Sequence, residues 1–264
     1  MNRCPFFTGD TMKRIIIALL LGLITFTTVF WYRRTGDYKP LGKTLIVGTS
    51  ADFPPFSFRD KDNTIVGFDI DVIKEVAKRL EMELDLTDRP FALLLPQIEL
   101  GQIHAIAAGM TPTEERAKRV TFTKPYLAGN PLLFVTLAKQ LPINSIEDLK
   151  GKEVIVNTGY TADLYLSKIP EIKLIRLTKV ADALAALEQG KGYAFASATF
   201  SLEPYVKDDK QRFNYFRFEE ADESSAIALS KKLPEEFAER VQKALDSMEA
   251  DGTLDALRKK WEVV

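Results

Sequence analysis

The sequence predicts an α/β protein of two lobes, each a mostly parallel sheet flanked by helices. Three observations carry that expectation. Short apolar runs of strand character alternate with amphipathic helical stretches along the chain. The 264 residues suffice for two domains of roughly 100 residues each. The composition is 46% hydrophobic with 36 basic against 37 acidic residues, as in a soluble globular chain.

The elements run in order. Leu45, Ile46 and Val47 form a short buried strand ending at Gly48. Residues 71–82 put Val72, Ile73, Val76 and Leu80 on one helical face, with Lys74, Lys78 and Arg79 opposite. A second strand covers 103–107. Thr113, followed by Glu114 and Glu115, starts a short helix whose first-turn acids suit its N-terminus. Phe134, Val135 and Leu137 read as a strand. Ser145-Ile-Glu-Asp148 is a capping box, closed by Gly151. A strand at 154–156, a helix over 181–189 and a strand over 193–196 come next. A late strand at 227–229, a helix over 235–250 carrying Phe237, Val241, Leu245 and Met248, and a last short helix at 254–261 complete the chain. Helices and strands alternating in this way imply sheets whose ligands lie beyond the carboxyl ends of the strands.

The N-terminus is different. Lys13 and Arg14 precede an uncharged apolar run from Ile15 to Tyr32. Such a run reads either as a cleaved secretory signal, starting at Met1 or Met12, or as a retained anchor of nearly bilayer-spanning length. Residues 1–34 form this segment and 35–42 a linker. The chain beyond the linker is expected on the outer side of the membrane. Cys4 is the only cysteine, which excludes an intramolecular disulfide and a multi-cysteine metal site. A net charge of −1 and the lack of a basic, aromatic-interleaved stretch argue against nucleic-acid binding. His104, the only histidine, reads as a surface or edge residue. Neither a metal nor a cofactor is expected.

Several motifs occur in a fixed order: Val47-Gly-Thr-Ser-Ala-Asp-Phe-Pro-Pro-Phe56, Gly67-Phe-Asp-Ile-Asp71, Ala107-Ala-Gly-Met-Thr-Pro-Thr-Glu-Glu-Arg116 and Phe122-Thr-Lys-Pro-Tyr126. Leu149-Lys-Gly-Lys152, Gly159-Tyr-Thr161 and Asp251-Gly-Thr253 come after them. From about Lys43 to Trp261 this series resembles the polar amino-acid (arginine-type) solute-binding proteins of ABC importers, family 3. The resemblance implies a type II periplasmic-binding-protein fold with a two-strand hinge. Lobe 1 would take residues 43–131 and 222–264, and lobe 2 residues 132–221. It further implies a monomer that binds an amino acid in the interlobe cleft and serves a membrane permease. The location would be the periplasm or the outer face of the membrane, with surface exposure if the N-terminal segment is retained.

Arg116 lies one turn into a helix that follows a strand end, where its planar fork matches a carboxylate. Thr111 adds a hydroxyl beside it. The resemblance gives both the ligand's α-carboxylate, with Gly159, Tyr160 and Thr161 closing from lobe 2 and Asn157 at the preceding strand end. It makes Phe53 and Phe91 aromatic walls, gives Ala108 and Gly109 carbonyls for the ligand's ammonium, and puts Ser50 and Asp52 toward its side chain. Aromatic walls and Asp52 favour arginine, with glutamine next. The sequence departs from the family at Ala198, where an aspartate should meet the ammonium. Glu203, Asp163 or Glu223, or carbonyls and water, would have to serve instead. A dehydratase-like enzyme on the same fold and a surface amino-acid sensor are the other readings. No His, Cys or paired carboxylate supplies the general acid that such an enzyme needs.

Overall fold

A computed structural model of the protein describes residues 39–263. The expected signal or anchor, Cys4 and the first half of the expected linker lie outside the described residues. Among the described residues thirteen strands build two five-stranded sheets and one small sheet. The first sheet has the order β5-β1-β6-β13-β7, from β1 (Thr44–Thr49), β5 (Glu83–Asp88), β6 (Ala105–Ile106), β7 (Val120–Phe122) and β13 (Ala228–Ser230). The second has the order β10-β9-β11-β8-β12, from β8 (Leu127–Leu137), β9 (Glu153–Asn157), β10 (Lys173–Leu177), β11 (Ala194–Ala198) and β12 (Phe213–Ser225). In each sheet four of the five strands share one direction; β13 in the first and β8 in the second run against them. The mostly parallel character read from the sequence therefore holds in both sheets. The third sheet, β2 (Asp52–Phe53), β3 (Ser57–Arg59) and β4 (Ile65–Val66), is a small antiparallel ribbon.

Among the described residues eight α-helices cover these sheets: α1 (Phe68–Arg79), α2 (Phe91–Leu100), α3 (Glu114–Ala117), α4 (Thr161–Leu166), α5 (Val180–Glu188), α6 (Thr199–Val206), α7 (Glu235–Ala250) and α8 (Thr253–Lys260). Among the described residues no helix is long and apolar enough to cross a membrane. β8 and β12 pair over most of their length and connect the segments that build the two sheets.

Helix α1 starts three residues before the apolar stripe predicts. Gly67 adopts φ 138°, which lets Phe68 N–H reach Pro55 O at 2.9 Å and Asp69 N–H reach Phe56 O at 3.0 Å. Asp69 is fully buried in that first turn, and a polar residue on the buried face hid the true start. Helix α2 went unread because Pro96 interrupts its pattern. His104 is not a surface or edge residue: it is 2% exposed, and its Nδ1 accepts the Ile46 N–H at 3.1 Å. It immediately precedes β6, which is the central strand of the first sheet, so its neighbourhood is interior.

A Cβ on Gly67 would meet Phe56 O at 2.2 Å, at a backbone angle that L-residues avoid. Gly67→Ala should lower stability by at least about 2 kcal/mol, read as a fall in denaturation midpoint at unchanged m-value. A midpoint equal to wild type contradicts this.

Candidate functional site

The candidate site is assembled from loops at the carboxyl ends of β1, β6, β9 and β11. On the side of the first sheet, β1 ends at Thr49, whose hydroxyl donates to Ala107 O at 2.6 Å and so ties two of these loops together. Ser50 is buried and its hydroxyl donates to Asp52 Oδ1 at 2.7 Å. Burial raises the Asp52 carboxyl above its ordinary range, against the lowering effect of that hydrogen bond. Phe53 is buried and stacks on Phe56 with centroids 5.0 Å apart.

After β6 the chain passes through Ala108 and Gly109 at φ 61°. The Gly109 N–H donates to the Asp69 carboxylate. A Cβ on Gly109 would sit 2.8 Å from Phe53 Cε1, so this close approach requires glycine. Burial pushes the Asp69 carboxyl up to about 7, with the Gly109 hydrogen bond opposing it.

Thr113 caps α3, its hydroxyl accepting the Arg116 N–H at 3.2 Å. The Arg116 side chain then turns inward and is 2% exposed. Its Nη1 donates to Thr111 O at 2.8 Å, and its Cζ lies 5.4 Å from the centre of the Phe91 ring. Burial lowers the Arg116 pKa to about 10, while the charges of Glu223 and Glu115 act the other way. The guanidinium is therefore a buried cation at neutral pH.

On the side of the second sheet, β9 ends at Asn157 and α4 begins at Thr161, with Tyr160 as its N-cap. The Gly159 N–H donates to Asp163 Oδ2 at 2.8 Å, and Asp163 also pairs with Arg176 at 2.9 Å. With its amide committed there, Gly159 turns its carbonyl toward the first sheet and accepts Arg116 Nη2 at 2.8 Å. The resemblance implied that this loop closes over the ligand's carboxylate; at Gly159 the group facing Arg116 is a carbonyl. The Tyr160 ring lies 5.2 Å from Phe53, edge-on at 84°, and 4.6 Å from Phe91. The space between the two expected aromatic walls thus holds a side chain of the protein itself. Ala198 ends β11, fully buried, and is the N-cap of α6. Ser201, within α6, donates from its hydroxyl to Pro54 O at 2.9 Å, a further link between the two halves.

The structure brings Phe53, Phe91, Thr111, Arg116, Gly159 and Tyr160 into one cluster. Ser50 and Asp52 stand beside it, lining a cavity of about 270 Å³ with Asp88, Arg89 and Lys179. Among the described residues Thr111 Oγ1 and Asn157 Oδ1 are buried without a hydrogen-bond partner, which is rare for such groups. Of the acids considered for the ammonium, Asp163 is tied to Arg176, and Glu203 pairs with Arg217 at 2.9 Å. Glu223 is 5% exposed on β12, and its charge acts on Arg116. Sequence reasoning missed the part of Asp69 in holding Gly109 and the insertion of Tyr160. A buried acid in the first turn of α1 was the available sign of the former.

Two measurements test this arrangement. The folded state holds a proton on Asp69 up to about pH 7, against an ordinary value of 3.8. Stability from this group is fully present below the unfolded value and is lost as pH rises through the folded one. Over pH 5 to 8 that loss is about 3 kcal/mol. Asp69→Asn keeps an oxygen for the Gly109 N–H, so its melting temperature should fall less than wild type over the same range; equal slopes contradict the assignment. Tyr160→Ser removes a ring that spans the two halves. The unliganded variant should show a larger radius of gyration by X-ray scattering, and an unchanged value means that Tyr160 does not hold the halves together.

Residues 45–263 match the model of the bacterial extracellular solute-binding proteins, family 3. The arginine-binding extracellular protein ArtP of Bacillus subtilis (strain 168) is 32% identical over 255 residues, covering 95% of this chain and 98% of that protein. ABC transporter arginine-binding protein 1 of Escherichia coli (strain K12) is 28% identical over 262 residues, covering 95% and 99%. Among solved structures, an ancestral arginine-binding protein bound to arginine is similar with a TM-score of 0.78 at 34% identity, covering 84% of this chain and 99% of that one. An ancestral arginine-binding protein bound to glutamine gives 0.77, also at 34% identity, with the same coverage. These relatives are binding proteins, and the fold is that of the two-lobed periplasmic binding proteins. With its two like-built sheets, the two strands between them and a buried arginine where they meet, the chain belongs to the bacterial extracellular solute-binding proteins, family 3.

Proposed function

We propose that the chain is the substrate-binding component of an ABC importer, that it holds a polar or cationic α-amino acid between its lobes, arginine foremost, and that it does so without chemical turnover. The observation that carries this reading is Arg116: a buried guanidinium at the junction of the two halves whose fork donates to the neutral carbonyls of Thr111 and Gly159. A carboxylate is a far better partner for that fork than two neutral carbonyls, because its bonds are charge-assisted and bidentate. Lobe 1 comprises residues 43–131 and 222–264, lobe 2 residues 132–221, and the hinge runs through β8 and β12.

The contacts that close the site also say how it opens. Gly159 O and the Tyr160 ring both belong to lobe 2, while Arg116, Phe53 and Phe91 belong to lobe 1. Parting the lobes withdraws carbonyl and ring together and exposes the guanidinium between two phenylalanines. The ligand carboxylate then takes Arg116, with the Thr111 hydroxyl as a second donor. Its side chain enters between Phe53 and Phe91, where a guanidinium gains ~1–2 kcal/mol from the ring faces when desolvated. Asp52 lies toward the cavity beyond and suits a cationic end. A ligand favours closure only by its differential affinity for the closed form. The names of the relatives, which bind arginine or histidine, support an amino acid of this class.

The protein is placed on the outer side of the cytoplasmic membrane as a monomer that delivers its ligand to a membrane permease. Residues 1–34 serve there as signal or anchor.

Calorimetry with arginine, lysine, glutamine and histidine tests the reading. At least one should bind wild type saturably without turnover, and Arg116→Ala should bind it about 100-fold more weakly, the loss of a buried charge's partner. No binding of any of the four at millimolar concentration, or an Arg116→Ala variant that binds like wild type, overturns it.

A further inference from the structure

An α-amino acid held at Arg116 brings an ammonium with it, within a few ångströms of its carboxylate. Enclosed away from water, that charge needs an anionic partner. Position 198, at the end of β11, offers only a methyl group. Each acid around the site already has an interaction of its own, Glu223 included, so position decides among them. Asp163 holds the Gly159 N–H and Arg176. Glu203 pairs with Arg217 on the outer side of α6. Asp52 accepts from Ser50 and lines the cavity on the side-chain end of the cleft. Asp69 lies behind Gly109, which it holds by the amide.

Glu223 differs from all of these in position. It is 5% exposed and sits on β12, in the stretch where β12 pairs with β8 between the two sheets. Glu223 stands opposite Asn130, and Ala198 stands opposite Leu132, two residues further along the same strand. The ladder is irregular on either side of this stretch of β12, but Glu223 itself pairs with Asn130; opposed residues share a face, and so do residues two apart on β8, which puts Glu223 and Ala198 on one face of the sheet. Asn130 in turn accepts the N–H of Phe200, the second residue after Ala198. The Glu223 charge acts on both Arg116 and Tyr160, the groups that meet where the ligand's polar end would lie.

We propose that Glu223, on the hinge strand β12, is the residue that recognises the ligand's α-ammonium and stands in for the acid missing at Ala198. It makes the site selective for α-amino acids over the same carboxylic acids without the amino group. This rests on the amino-acid reading of the site given above. It relocates ammonium recognition from a lobe loop to the hinge, so that charge recognition and lobe movement use the same strand.

The test measures affinity by calorimetry for two matched pairs: arginine with 5-guanidinopentanoate, and glutamine with glutaramate, which differ only in the α-amino group. Wild type should bind the amino acid of the pair it prefers at least tenfold tighter than its partner. Glu223→Gln should bring that ratio close to one, and adding Ala198→Asp should restore it. Should Glu223→Gln not fold, Glu223→Asp carries the test, with a ratio reduced several-fold. A variant that weakens both members equally, leaving the ratio at its wild-type value, shows that Glu223 only offsets the charge of Arg116 and overturns the proposal while leaving the amino-acid reading intact. Wild type that binds neither arginine nor glutamine, or binds each no tighter than its partner, removes the proposal together with its premise.

Discussion

Arg116 carries a permanent positive charge into surroundings where 2% of the residue meets solvent. A guanidinium so placed has lost its hydration and must be met by oriented oxygens. Much of the local architecture supplies that setting. The four-residue helix α3 exists to start a turn at Thr113, whose side-chain cap fixes the backbone from which Arg116 swings inward. Thr111 offers its carbonyl from the loop before it, Gly159 offers one from across the cleft, and the Phe91 face covers the cation. None of these partners is charged, so the arrangement closes the site while leaving the guanidinium with its strongest class of partner still to be met.

The two halves are built alike and meet with their functional ends together. In each sheet the parallel strands deliver their loops to the same end, which is where such sheets gather ligand-binding groups. The loops are then locked by buried side chains: Asp69 fastens Gly109, and Asp163 fastens Gly159. Two carboxylates, one in each half, thus hold two glycines at positive φ, a region most side-chain-bearing residues avoid. The Tyr160 ring completes the match by entering between Phe53 and Phe91. On the proposed reading, a ligand entering there would compete with a contact the protein already makes rather than fill an empty slot.

The architecture was legible because it rests on periodicity. Helix α7 has the bounds that its apolar spacing indicates, and β1, β9 and α5 fall within a residue or two of theirs. The elements that escaped did so for local reasons. Proline inside α2 and α6 breaks the pattern without ending the helix. β5 and β10 flank the sheets as edge strands and bury too little to read as strands. Burial of His104 depends on which strand becomes central, a tertiary fact that its own neighbours do not encode. At the site the ordered motifs pointed to Arg116, Thr111 and the phenylalanines, which the fold does gather. The direction of the Gly159 carbonyl and the insertion of Tyr160 depend on how two distant segments meet, and no local pattern carries that.

If the buried guanidinium is the anchor of an amino-acid site, ligand and protein must compete for the same atoms. A crystal structure of the protein grown with arginine measures this directly. The account predicts the ligand carboxylate on Arg116 Nη1 and Nη2, the Gly159 carbonyl released, and the Tyr160 ring out from between Phe53 and Phe91. Arginine bound elsewhere, with Arg116 still on Gly159 O and Tyr160 still between the two phenylalanines, would contradict it.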